Sequence, residues 1–205
     1  MLEINYTCSL GSLCHSSQIL KRNNYKKCSY PFDWIFSNYN IIIDCLEDDF
    51  NIFLDKSYYN IISETQCGHS KYSYNMWWHH NPLINVNDYN YYVRCVDRFR
   101  DLLKKQEHKL FITIDVNLSD NYDKNTIINF NNKFSKYTSN YTLLFISHIP
   151  DKEQNKHEFT YHDNIHFLEL HTLSQSNGVI FSNVEDNIYL DNIILSNYKF
   201  DFVKI

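Results

Sequence analysis

A chain of 205 residues, 43% hydrophobic and 21% charged, has enough apolar material for one packed core and is short for two domains. Its net charge of −5 leaves no basic surplus for a broad phosphate-binding face, so no nucleic-acid partner is expected, a local basic patch aside. No stretch reaches the roughly 18 apolar residues of a membrane span, and the start, Met1-Leu2-Glu3-Ile4-Asn5, lacks the charge and apolar run of a signal peptide.

From those features we expect no membrane partner and a cytoplasmic protein. The six cysteines, Cys8, Cys14, Cys28, Cys45, Cys67 and Cys95, form no CxxC pair and read as reduced thiols. Asn, Ile, Lys and Tyr are abundant, which we take first as codon bias.

In chain order, Leu2, Ile4, Tyr6, Cys8 and Leu10 alternate with polar residues and predict a strand. Gly11-Ser12 breaks it, and Ser12 is placed to cap a helix from about Leu13 to Arg22. Tyr30-Pro31-Phe32-Asp33-Trp34 reads as a rigid aromatic loop, since Pro31 fixes its own φ and pushes Tyr30 toward an extended state. A helix through Ile41, Ile42, Cys45 and Leu46 follows, then a short one carrying Phe50, Phe53 and Leu54. Residues 57–86 show little periodicity, which over that length predicts a functional or partly regular segment. Tyr92, Val96, Phe99 and Leu103 mark a helix from Asp88 to Gln106. Lys109–Val116, Tyr141–Ser147 and Ile165–Leu170 read as buried strands, with a helix through Ile127, Phe130 and Phe134 between the first two. Beyond Val179 the pattern fits helix or strand. The alternation predicts one α/β domain over residues 1–205, a mostly parallel sheet with helices on both faces.

Ligands bind beyond the carboxyl ends of such strands. Those ends carry Gly11 to Cys14, then Asp115 and Asn117, then His148, then His171. Cys14 near a helix N-terminus is expected to have a lowered pKa and to lie beside amides that could hold an oxyanion. Gly11 permits a close approach there. The alternative for Cys14 is a small buried residue of the first turn. Of ten histidines, His79 and His80 sit in an aromatic setting, and Asp33 could orient an imidazole or cap the helix after it. His15 adjoins Cys14 but diverges from it on a helix. His157, His162 and His166 read as loop or surface residues. Without clustered cysteines or carboxylates, neither metal nor cofactor is expected. Arg94 and Arg98 share a helix face, where they clamp an anion or pair with Asp97, Asp101 or the Asp48-Asp49 pair.

Three stretches carry a family resemblance: Cys8-Ser9-Leu10-Gly11-Ser12-Leu13-Cys14, Tyr30-Pro31-Phe32-Asp33-Trp34-Ile35-Phe36-Ser37, and His79-His80-Asn81-Pro82 leading into Tyr91 to Phe99. Together they resemble the putative papain-like cysteine peptidase family, a domain of unknown function of bacteria and large DNA viruses. The resemblance covers the first half of the chain and, more loosely, Leu110–Asp115. It implies Cys14 as nucleophile, His79 as base with His80 beside it, and Asp33 as the acid. Papain-like enzymes place a Gln before the Cys and a Trp after it; here no Gln precedes Cys14 and His15 follows.

The reading is a thiol hydrolase of peptidase type acting on protein or peptide, with Cys14, His79, His80 and Asp33 catalytic. Gly11, Ser12, Trp34, Trp77, Trp78, Arg94 and Arg98 are its expected substrate contacts. Alternatives are a binding module that uses residues 72–92, with Trp77, Trp78, Tyr91 and Tyr92 as anchors, and an SGNH-like or sugar- or nucleotide-modifying enzyme of the strand-end crevice, with Arg94 and Arg98 on phosphate. The strand-turn-Cys-helix start is similar in architecture to the nucleophile position of SGNH-type esterases, where a Ser follows the first strand.

Overall fold

The computed structural model describes residues 1–119 and 122–202. Asn5 divides the first alternating run in two. Its side chain accepts from the His108 amide at 3.1 Å and donates to the Asp201 carbonyl at 3.1 Å. Before it, β1 (Leu2–Ile4) pairs in parallel with β10 (Tyr198–Phe200); after it, β2 (Tyr6–Ser9) pairs in parallel with β6 (Lys109–Asp115).

The main sheet has the order β2-β6-β7-β9-β8, with β7 (Tyr141–Ile149) and β9 (Ile165–His171) parallel to β6. β8 (Lys156–His162) closes one edge antiparallel to β9. The sheet is therefore mostly parallel, as its alternation with helices predicts. β8 is the unexpected strand: its mostly exposed edge residues give no apolar run, and the surface reading of His157 and His162 hid a ladder position. His166 is likewise on a strand, β9, with Nδ1 2.7 Å from the Tyr198 hydroxyl.

Alternation along the central strands sends side chains to two cores. Phe111, Leu143, Phe145 and Phe167 face one, under α4 (Val86–Lys104) and α5 (Lys124–Phe134). Leu110, Ile112, Ile114, Leu144 and Leu168 face the other, under α1 (His15–Arg22) and α6 (Val184–Asn197). Each buried Phe or Leu contributes about 1.5–3 kcal/mol by leaving water, so the sheet is anchored on both sides. α2 (Tyr39–Glu47) and the short α3 (Asn51–Leu54) extend the first core. The ambiguous tail resolves as α6 followed by β10.

Residues 57–86 contain a three-stranded antiparallel sheet, β3 (Tyr59–Ser63), β4 (Gln66–His69) and β5 (Ser73–Trp77). Register irregularities between Ile61 and Ser63 and between Cys67 and His69 break its alternation, which is why no strand period is visible in the sequence.

Candidate functional site

At the carboxyl end of β2 the backbone of Gly11 and Ser12 turns left-handed, with φ of 76° and 70°. This reverses the chain into α1. A side chain at Gly11 would also place its Cβ 2.3 Å from Ser37 Oγ and 2.9 Å from the Phe32 carbonyl, so only glycine fits. Ser12 is not the helix cap expected of it. Its hydroxyl donates to the Ile114 carbonyl at 3.0 Å, and its amide donates to Ser37 Oγ at 3.4 Å. The bond to Ile114 pins the turn to β6. The cap position falls instead to Cys14, whose side chain caps nothing and is half-buried. Among the described residues the Leu13 and Cys14 amides have no hydrogen-bond partner.

The loop Tyr30–Ser37 packs against this turn through Phe32 and Ser37. Asp33 is buried and accepts from Lys26 Nζ and, at 2.7 Å, from the Tyr30 amide. The orienting role expected of Asp33 gives way to a different one: its partners are Lys26 and the loop backbone, and neither histidine of the pair is among them. Burial pushes its carboxyl up, against the pull of Lys26. Trp34 follows, with Lys21 and Lys26 ammonium groups each 5.6 Å from its ring.

The same loop recruits the histidine segment. The Phe36 amide donates to the Met76 carbonyl at 3.1 Å, and the Phe36 ring meets Trp78 edge-on at 6.2 Å. That contact carries the end of β5, and the residues after it, to the Cys14 turn. Beyond it Asn81 is buried and donates to the Ser63 and Gln66 carbonyls, while its own amide donates to Asp88 at 2.8 Å. Asn81 is therefore spent on backbone and orients no ring. Asp88 does: it lies 3.2 Å from His80 Nδ1, and His80 stacks on Tyr91. Sequence reasoning missed Asp88. The signal was its place in the first turn of a helix just after a His-His-Asn-Pro turn, where an acid satisfies free amides.

Cys14 and His79 line one cleft of about 240 Å³. The rest of its lining is Leu13, Trp34, Ile35, Phe36 and Trp78, together with Asn177, Gly178 and Val179. That last stretch, from the loop after β9, had no signal in the sequence. Trp78 is 45% exposed. The expected fall in the Cys14 pKa is reversed: burial pushes the thiol up, and the Asp33 charge adds to it.

Other candidates lie apart. Trp77 and Tyr92 are buried in an aromatic cluster with Phe53, so neither is a substrate contact or an exposed anchor. Arg94 and Arg98 are exposed and do not line the cleft. The ion pairs to Asp49 and Asp97 belong to Arg100, while Arg98 donates to the Ser29 carbonyl at 3.5 Å.

The strand-end imidazoles are committed to packing. His148 accepts from the Asn117 amide at Nδ1 (3.1 Å) and donates from Nε2 to Thr172 Oγ1 (2.7 Å). His15 Nδ1 meets Ser176 Oγ at 2.8 Å. Burial lowers these rings to about 4 and about 3, and His171 Nε2 bonds Glu169 at 2.7 Å. Asp115 accepts from the Tyr39 hydroxyl at 3.2 Å. Cys14 thus sits at the strand ends as expected, but the polar groups of the neighbouring strands do not converge on it. No helix among the described residues is long and apolar enough to cross a membrane.

No curated protein and no solved structure matches this chain. Residues 5–81, which run from the entry to β2 through Asn81 and hold Cys14, Asp33, His79 and His80, match the model of the family described as "Putative papain-like cysteine peptidase (DUF1796)".

Proposed function

We propose that the chain is a thiol-dependent acyl hydrolase of peptidase type, with Cys14 as nucleophile and His79 as base. The observation that carries the reading is that the two side chains, from distant segments, line one cleft. A thiol held above its ordinary pKa is no standing thiolate. The base must take its proton as the Sγ–carbon bond forms. In that step the Sγ proton passes to His79 and the carbonyl oxygen becomes an oxyanion beside the free Leu13 and Cys14 amides. His79 returns the proton to the nitrogen as the C–N bond breaks. Water then attacks the thioester, giving a carboxylic acid and restoring the thiol. His80, fixed by Asp88 and Tyr91, holds the backbone from which His79 projects. Trp34 and Trp78 flank the reacting carbonyl with apolar surface, and Gly11 and Ser12 hold the turn.

A vinyl sulfone built on an acetylated Phe residue tests the reading. We expect a single adduct on Cys14, located by peptide mass spectrometry and lost with His79→Ala. Adduct on Cys28 instead, or on Cys14 regardless of His79, would overturn it.

A further inference from the structure

Trp34 lines two depressions. One is the Cys14 cleft. The indole also lines a second hollow of about 350 Å³, whose other residues are Lys21, Lys26, Lys27, Cys28 and Ser29. In a chain of net charge −5, three ammonium groups in one hollow are a local reversal of sign. Their charges are not all spent. Lys26 pairs with buried Asp33. Lys21 and Lys27 have no carboxylate partner within 4.0 Å among the described residues. Lys27 lies 4.4 Å from the Phe202 ring and bonds the Asn24 carbonyl at 3.4 Å. Arg98 reaches the rim through its bond to the Ser29 carbonyl.

We infer that this hollow is an anion subsite of the Cys14 cleft, and that the substrate is a peptide carrying acidic residues beside an aromatic or branched apolar one. The inference rests on reading the cleft as a substrate site. The apolar residue fits between Trp34 and Trp78. A neighbouring carboxylate then passes over the edge of Trp34 toward Lys21 and Lys27, where concentrated positive charge draws it. The indole serves both: it lines the cleft that takes the apolar residue and holds the Lys21 and Lys26 ammonium groups near by cation–π attraction. Acidic peptides are a better fit than nucleic acid, because the patch is confined to one hollow and the chain as a whole is acidic.

The test is binding, so it does not depend on turnover. Two fluorescein-labelled pentapeptides, Glu-Glu-Phe-Glu-Glu and Gln-Gln-Phe-Gln-Gln, are titrated with the full chain and followed by anisotropy. The glutamate peptide should bind about tenfold more tightly at low salt and lose that margin near 0.5 M NaCl, as exposed charge pairs do. The charge-neutralising double variant Lys21→Gln, Lys27→Gln should abolish the preference, while Cys14 is still labelled by the Phe vinyl sulfone in a His79-dependent way. Equal binding of the two peptides to the wild type, with Cys14 still labelled in a His79-dependent way, would overturn the subsite and leave the hydrolase reading standing. Preference retained in the double variant would also overturn it. Absence of His79-dependent labelling, with the charge preference present, would overturn the hydrolase reading and leave an acidic-peptide binding site.

Discussion

Asp33 is 1% exposed at its side chain, and the Lys26 side chain bonded to it is 11% exposed. Such a pair is kept by mutual compensation, since either charge left alone in that setting is costly. The carboxylate also acts at a distance, because its charge raises the Cys14 thiol, second to burial. Asp33→Asn removes that charge while keeping shape and the acceptor for the Tyr30 amide. We expect the pH profile of Cys14 alkylation by iodoacetamide to move to lower pH in this variant. Were Asp33 the group that orients the base, alkylation would slow at every pH instead. The sequence identified Asp33 as special but not its partner. Lys26 precedes it in an unpatterned stretch, and nothing in a Pro-Phe-Asp-Trp motif tells an imidazole from an ammonium. Asp88 divides differently: its place in the first turn of α4 was readable, but its pairing with His80 depends on the turn at Asn81 and Pro82 bringing the helix start back under that ring.

Secondary elements were legible where burial is one-sided and regular. β6, β7, β9, α4 and α5 carry long apolar periods, and their bounds fall close to those the pattern predicts. The turn between β2 and α1 was legible in position but not in chemistry. A Gly-Ser pair suggested a cap, whereas Ser12 is itself left-handed and bonded to β6. The small sheet of β3, β4 and β5 was not legible, since its strands are short and its register slips. At this scale Gly11 is the joint between the turn and the Tyr30–Ser37 loop. Gly11→Ala combines a left-handed alanine with the close contact to Phe32 and Ser37, at a cost of about 2–4 kcal/mol. Urea denaturation should show that loss, and a change under about 0.5 kcal/mol would mean that loop and turn are not in contact.

Taken whole, the molecule holds two buried neutral imidazoles at the end of its sheet and one accessible imidazole in its cleft. His15 and His148 are lowered to about 3 and about 4 by burial, against an unfolded value near 6.5. The unfolded chain therefore binds protons first as pH falls. Stability is full above about pH 6.5 and declines from there toward pH 4, each ring removing about 1.4 kcal/mol for every pH unit of the fall. Urea unfolding at pH 7 and pH 5 should show the decline, less steep in His148→Gln; equal stability at the two pH values would contradict the buried, neutral assignment. The cleft itself depends on the whole fold. β2 delivers the thiol, the Tyr30–Ser37 loop couples it to β5, β5 delivers His79, and the loop after β9 closes the wall. If His79 takes the proton of Cys14, the rate of Phe vinyl sulfone addition to Cys14, followed between pH 5 and pH 9, falls at least about a hundredfold near pH 7 in His79→Ala, with a smaller loss in His80→Ala. Equal rates in wild type and His79→Ala, across that whole pH range, would contradict it.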